Sequence, residues 1–569
     1  ALLAMILSGA TLATTEEGEE DTQREPGFAE APRLIENPSG RVPLAAEIRF
    51  VAAPGLTVEL RVSTDDHRWQ RVFADAHDSS GAYSIPVVGM KADRDYEIEL
   101  RLRDTEGSLD GHVFKHRTPS LPASQLEFPP LEVSTAEPER MEPGVTFLSV
   151  RRRYPLRGHW MTERQLRFTT QWGMLVALDA KGEVLWYYES DSRTAGIDRL
   201  ANGNILMHRA NFSTLEIDML GNTVREYYAQ GRPYPAPENP EAIAIEGIQT
   251  LHHQPQQLPD GNYLAFSANG YLFEDWPSST SDPDAPRKDQ MVMADTVVIF
   301  NPEGEIIWSW NTLDHLDTSR IGYDTFNSYW WTRGFPDHAD WSHGNGLSYY
   351  AADDSILVSL RQQLAVIKID RKTQEIKWIL GRHDHWPERL HDKLLTPVGE
   401  PFLWFGYQHN PRYTPKGNVI MFDNRAHGAR MPPEPRLPFQ ENFSRAVEFA
   451  VDEEAMTVRQ VWTTGDVQGS TPCFANGMSE AWRLPQTDNR LVVFSFCAPL
   501  LEGVTEDIMD PCRRAPDDLP YPGGPVREYA GDDVVFEVRA KDPDDLLQWE
   551  IYGGFRSPSM YARQSPSAF

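Results

Sequence analysis

Between residues 30 and 120, apolar and polar positions alternate with a period of two, in short runs broken by turn residues. Ala45–Ala53 (AAEIRFVAA), Leu56–Thr64 (LTVELRVST) and Tyr96–Asp104 (YEIELRLRD) each present one apolar and one polar face. That is the signature of half-buried strands, and a set of them predicts a small β-sandwich of immunoglobulin or fibronectin type. The proline-rich stretch 121–144 reads as a linker.

From residue 145 to 569 a longer repeat takes over, interrupted by loops of unequal length. Its second half is an Asp- or Asn-containing turn between two strands, the later one ending in aromatics. Copies are VALDAKGEVLWYY (176–188), LEIDMLGNTVREYY (215–228), VVIFNPEGEIIWSW (297–310), VIKIDRKTQEIKWIL (366–380), VEFAVDEEAMTVRQVW (447–462) and VVFEVRAKDPDDLLQWEI (534–551). Its first half is a turn followed by a strand, as in QLPDGNYLAFS (257–267), YAADDSILVSLR (350–361) and YTPKGNVIMFDN (413–424). Two hairpins per unit and six units predict an all-β chain whose larger part is a six-bladed β-propeller.

The repeat makes the histidines informative. His253 lies eight residues before Gly261, His409 eight before Gly417, and His343 ten before Asp353 in a copy with a longer turn. All three therefore fall on the first strand of their units, which is innermost in a propeller, and they should meet at one end of its channel. Arg361 ends the strand antiparallel to the one that begins beside His343, so hairpin geometry sets it next to that histidine. It would offer an always-charged fork to an oxyanion. Asn345 and Asn424 fall near the same rim as further donors. Trp341 and Phe405 belong to aromatic approaches able to stack a phenyl ring. His252 is a further candidate contact, although strand alternation turns it away from His253.

Composition narrows the partners. With 54 Lys and Arg against 84 Asp and Glu, the net charge is −30, which repels a nucleic-acid duplex or an anionic membrane. Residues 1–13 (ALLAMILSGATLA) are apolar but too short to cross a bilayer. With the acidic stretch that follows, residues 1–25 read as a secretory signal or N-terminal arm, implying a periplasmic or secreted protein. Three cysteines, Cys473, Cys497 and Cys512, allow one bridge without saying which. No glycine-rich phosphate loop and no Gly-x-Ser-x-Gly elbow occur, so no cofactor is expected. A three-histidine metal site is the rival reading of the cluster, and Arg361 argues against it, because a cation beside a dication is costly.

The runs HHQPQQLPDGNYL (252–264), DWSHGNGLSY (340–349), SILVSLRQQLAVIKIDR (355–371), YQHNPRYTPKGNVIMFDN (407–424) and SRAVEF (444–449) resemble the bacterial arylsulfate sulfotransferases. The resemblance covers most of residues 145–555. It implies a periplasmic six-bladed propeller enzyme that moves a sulfuryl group from a phenolic sulfate ester to a phenol without a nucleotide-sulfate donor. It makes His409 the transiently sulfated nucleophile of a ping-pong reaction, and His253, His343 and Arg361 the groups that bind the sulfuryl. One position departs from the pattern: the family reads His-His-Asp where this chain has His252-His253-Gln254. Either His253 lacks its orienting carboxylate, or Gln254 stands in for it. A propeller that kept the fold without the reaction, and a metal-dependent ester hydrolase, are the competing functions. Whether the chain self-associates is left open.

Overall fold

The computed structural model describes residues 27–569 apart from 75–76, 106, 125, 154–161, 328, 439–440, 465–472, 496, 498–522, 542–547 and 562–569. The expected signal or arm (1–25) and Cys512 lie outside the described residues. The chain divides into two compact units.

The smaller unit comprises 48–85 and 95–116 with residues up to 35. Its strands form a three-stranded sheet, in the order Phe28–Glu36, Ala46–Ala52, Ala82–Val87, and a four-stranded one, in the order Arg68–Phe73, Thr57–Ser63, Asp95–Arg103, Ser108–Arg117. Alternation decides which faces are buried. Along Asp95–Arg103, Tyr96, Ile98, Leu100 and Leu102 are buried while Asp95, Glu97 and Arg103 are exposed.

The larger unit comprises 36–47, 86–94 and 117–569. Six sheets of four or five strands follow one another along it. Their first strands are Thr194–Arg199, His252–Gln257, Gly344–Tyr350, His409–Tyr413, Glu480–Arg483 and Gln548–Ser557. Each touches the next, and Gln548–Ser557 touches Thr194–Arg199 again, so the first strands close a ring. An apolar cluster fills each gap between neighbouring sheets; Leu357, Val366 and Trp378 of one sheet, for example, pack on Val419, Met421 and Val447 of the next.

The repeat's two marks have structural causes. At the turns, a side-chain oxygen caps backbone donors: Asp179 Oδ1 accepts from the N–H of Lys181 at 2.8 Å and of Glu183 at 2.9 Å, and Gly182 takes the positive φ of 80° that the tight turn requires. At the strand ends, the aromatics reach across to the following sheet. Trp186 Nε1 donates to Met219 O (2.9 Å), Tyr227 Oη to Pro302 O (3.0 Å), Trp310 Nε1 to Gln374 O (3.1 Å) and Trp378 Nε1 to Glu453 Oε1 (3.0 Å). Each buried ring thereby fills a gap and satisfies its own polar atom.

Two closures join distant parts of the chain. Gln548–Ser557 pairs antiparallel with Val145–Arg153. Within the stretch expected to be a linker, Leu131–Ala136 pairs with Asp533–Ala540 and forms the outer strand of the sheet that begins with Glu480–Arg483.

Candidate functional site

The three histidines meet. The ring centroid of His253 is 5.4 Å from that of His343 and 5.9 Å from that of His409, and all three line one cavity of about 400 Å³. Their backbones are not regular strand. His253 and His343 take positive φ of 61° and 48°, and Asn410, beside His409, takes 51°. The ladders shift register just there, between His252 and Gln256, Gly344 and Gly346, and His409 and Arg412. Such bulges re-aim side chains, and left-handed backbone at bulky residues is the kind of strain kept at functional sites.

That geometry overturns the expectation for His252. Alternation would turn it away from His253, but the left-handed φ of His253 breaks the alternation, and the two Nδ1 atoms lie 2.7 Å apart. His252 is clamped between the rings of Phe266 (5.4 Å, stacked) and Trp330 (5.7 Å, edge-on). Its Nε2 stands 3.0 Å from Asp295 Oδ1, though without hydrogen-bond alignment. Asp295 is itself fixed, its Oδ2 accepting from Ser342 Oγ at 2.5 Å and Gly344 N at 2.7 Å. The carboxylate favours the hydrogen of His252 on Nε2. His252 Nδ1 then accepts, His253 Nδ1 donates, and the lone pair of His253 is left on Nε2.

Gln254 has a different task. Its Nε2 donates to Ile197 O at 3.1 Å and its Oε1 accepts from Asn410 Nδ2, tying its first strand to the preceding one and to the one two places on. A carboxylate from another strand does stand behind His252, Asp295 Oδ1 lying 3.0 Å from its Nε2.

His343 has its own carboxylate. Its Nδ1 lies 2.6 Å from Asp340 Oδ2, and Asp340 also accepts from Trp330 Nε1 at 2.8 Å and from Asn327 and Gln362 at 3.1 Å each. Burial opposes the ionisation of Asp340, but the neighbouring His343 and these donors outweigh it and hold the carboxyl below its usual range.

His409 differs from both. Its Nδ1 lies 2.8 Å from Ser479 O, and a carbonyl can only accept, so Nδ1 carries the hydrogen and Nε2 the lone pair. Burial pushes its pKa down to about 3, helped by nearby His343, Arg151 and Arg361 and opposed by the bond to Ser479. Tyr552 Oη, 3.2 Å from Nε2, occupies the lone pair in the resting site. His409 is thus a neutral imidazole with its free nitrogen fixed in direction.

The N–H of Arg361 donates to His343 O at 3.0 Å, as the hairpin requires. Its guanidinium pairs with Asp324 Oδ2 at 2.8 Å and donates to Asn476 O at 3.1 Å. Asp324 also meets His427 Nε2 at 2.7 Å. Burial resists ionisation of Asp324, yet His427 and Arg361 together hold its carboxyl well below the ordinary range.

Three expected contacts are placed elsewhere. Trp341 is fully buried in an apolar core and donates Nε1 to Arg320 O at 3.0 Å. Phe405 packs in the neighbouring core. Asn424 does not line the cavity; its Nδ2 donates to Ala475 O (2.6 Å) and Met478 O (3.1 Å), holding the loop whose Asn476 and Gly477 do. Asn345 lines the cavity, with one hydrogen of its Nδ2 given to Gln408 O at 2.7 Å. Aromatic content alone did not separate rim from core.

The cavity also gathers residues that no sequence signal marked: Arg151, Arg193, Arg333 and Arg436 join Arg361 in its described lining, against one carboxylate, Asp324. In a chain of net charge −30, that is a local inversion of the overall balance. Among the described residues, no group of three or more His, Cys, Asp or Glu is arranged to hold a metal ion, and no helix is long and apolar enough to cross a membrane.

A family model described as arylsulfotransferase (ASST) matches residues 132–515, well over half of the chain. The chain belongs to the arylsulfotransferase family. An arylsulfate sulfotransferase of Escherichia coli O6:H1 is 26% identical over 345 residues, covering 51% of this chain and 52% of that protein. One of Lelliottia amnigena is 35% identical over 146 residues, 23% of this chain and 24% of that protein. The match thus spans about half the length of the first arylsulfotransferase and a quarter of the second. Among solved structures, a Bacteroides caccae protein of unknown function has a TM-score of 0.35 at 11% identity, covering 73% of this chain and 100% of that one. The β-propeller domain of Swd1 from Myceliophthora thermophila has a TM-score of 0.26 at 12% identity over the same shares. At these TM-scores the likenesses carry no argument about this family member; its fold rests on its own sheets and their contacts.

Proposed function

We propose that this family member is a six-bladed propeller enzyme that transfers a sulfuryl group from an aryl sulfate to a phenol through a sulfated His409. The observation that carries the reading is the neutral His409, its Nε2 lone pair fixed by the Nδ1–H···O=C bond to Ser479 within an arginine-lined cavity.

In the first half-reaction, His409 Nε2 displaces Tyr552 Oη, attacks sulfur and forms the N–S bond as the S–O bond to the aryl group breaks. The phenolate takes a proton from an imidazolium. His343 suits that role, because the Asp340 carboxylate at 2.6 Å stabilises its protonated form. Arg361 faces the charge on the sulfuryl oxygens, and its pairing with Asp324 leaves it a weaker trap for a resting anion. In the second half-reaction, His343 takes the proton of the acceptor phenol, whose oxygen attacks sulfur and releases His409.

The reading is tested by mixing 4-nitrophenyl sulfate with excess phenol: nitrophenolate should appear with parallel double-reciprocal plots as phenol is varied. Intersecting plots, or no nitrophenolate, would contradict it. Asp295→Asn should lower kcat about tenfold to a hundredfold with little change in KM, since Asp295 acts on substrate only through His252 and His253. A change confined to KM would show that the relay does not serve the reaction.

An oxidising compartment, periplasmic or extracellular, is part of the proposal. Cys473 and Cys497 are bridged, 24 residues apart in sequence, and structural bridges persist where thiols are not kept reduced. The bridge tethers Phe474, Asn476 and Met478 of the cavity wall. Replacing both cysteines by serine should cost about 3.5 kcal/mol of stability by the loop-entropy relation, read as a lowered denaturant midpoint, and should raise KM for the donor.

Stability should also fall with acid. Burial lowers the pKa of His409 to about 3, and those of His253 and His208 well below the ordinary 6.5. Below pH 6.5 the unfolded chain binds protons at these positions while the folded one does not, so stability is full above that pH and is lost on descending toward 3. The slope is at most about 1.4 kcal/mol per pH unit for each histidine. The drop in thermal midpoint between about pH 7 and about pH 5 should be smaller in His409→Gln than in the native protein, and an unchanged drop would contradict this origin.

A further inference from the structure

The imidazole tautomers leave a sulfuryl group short of hydrogen-bond donors. His409 and His253 present Nε2 lone pairs, fixed by the contacts at their Nδ1 atoms, and a lone pair cannot donate to an anionic oxygen. Tyr329 stands beside them. Its ring centroid lies 4.4 Å from that of His343 and 6.4 Å from that of His253, stacked on the latter, and it lines the same cavity. Its hydroxyl is uncommitted: among the described residues Tyr329 Oη makes no hydrogen bond, and it is not one of the fully buried unpartnered atoms, so it keeps surface of its own. Burial is the largest influence on its acidity and pushes the hydroxyl pKa up, against the opposing charge of Arg333. A ring that deep in the protein has its open surface on the cavity. The phenol therefore stays protonated, able to donate and unsuited to act as a base.

The flanking residues hold this ring against His343. Asn327 and Trp330 donate to Asp340 at 3.1 and 2.8 Å, and Asp340 is the carboxylate paired with His343. Tyr329 N donates to Asn327 Oδ1 at 2.9 Å, and its carbonyl accepts from Arg333 at 2.7 Å and Thr332 Oγ1 at 3.1 Å. The Arg333 guanidinium lies 3.6 Å from the ring centre. A cation over the face of a phenol draws density from it and strengthens its O–H as a donor.

We infer that Tyr329 is a further catalytic residue, whose hydroxyl donates to a non-bridging oxygen of the sulfuryl group bound beside His343. The inference deepens the proposed transferase reading and rests on it for the step served. That the hydroxyl holds an SO₃ group is a claim about binding, separable from turnover.

Benzenesulfonate serves as the probe, because its aryl-bound SO₃ group cannot be transferred. By titration calorimetry, Tyr329→Phe should bind it about tenfold more weakly than the native protein does, the worth of a hydrogen bond to a charged group. The thermal midpoint should not fall, since the hydroxyl has no partner in the resting site to lose. With 4-nitrophenyl sulfate the same variant should lose about a hundredfold in kcat. Equal benzenesulfonate affinity in the two proteins, or no binding to the native one, would overturn the inference. So would a weaker affinity accompanied by a lowered thermal midpoint, the result of a merely structural role. A native protein that binds benzenesulfonate tenfold more tightly than the variant, yet releases no nitrophenolate, keeps Tyr329 as an anion ligand and loses the transferase reading.

Discussion

His409→Ala is expected to lower nitrophenolate release from 4-nitrophenyl sulfate on the order of 10⁴-fold, with a much smaller change in donor KM. Removing a covalent nucleophile abolishes the two-step route and leaves only whatever direct transfer the remaining groups support. Donor affinity should persist because Arg361, His253 and His343 are held by their own partners, Asp324, His252 and Asp340, none of which depends on His409. A variant retaining more than a tenth of native turnover would show that the nucleophile lies elsewhere.

Asp340→Asn is expected to cost up to about 10⁴-fold in kcat, in line with the penalty for a wrongly held histidine tautomer. The carboxylate accepts from His343 Nδ1 at 2.6 Å and from three further donors, so its geometry should survive the isosteric change. Its charge and its compulsion on the ring should not: an amide can donate to Nδ1 as readily as accept, and it stabilises no imidazolium. The deficit should be smaller for donors with better leaving groups, since a phenolate of low basicity needs little protonation. An equal deficit across a series of substituted phenyl sulfates would remove His343 from the acid role.

Residues governed by local register are legible in the sequence itself. His253, His343 and His409 share a position in the repeat, and Arg361 follows from one hairpin, so counting along the chain is enough to bring them together. What stays hidden depends on contacts between strands that do not pair with each other. Asp295 sits on a strand pairing with neither the strand of His252 nor that of His343, and Tyr552 reaches His409 only because the last strand closes the ring of first strands. No period in the sequence carries either fact. Asp340 is the exception within reach, three residues before His343 in DWSHGNG. The expected orientation of His252 fails for a specific reason: alternation presumes extended backbone, and the φ of 61° at His253 suspends it. Trp341 and Phe405 illustrate a different limit. An aromatic at a strand end fills a gap between sheets as readily as it lines a cavity, and here both pack in cores.

The central claim, that His409 carries the sulfuryl group between donor and acceptor, is tested most directly by mass. The protein is mixed with 4-nitrophenyl sulfate in the absence of acceptor, quenched in base within the first turnover, and measured intact and after digestion. The account predicts a gain of one sulfuryl group, confined to the peptide containing His409 and discharged when phenol is added before the quench. An unchanged mass while nitrophenolate is being released, or a sulfuryl group on any other residue, would contradict it.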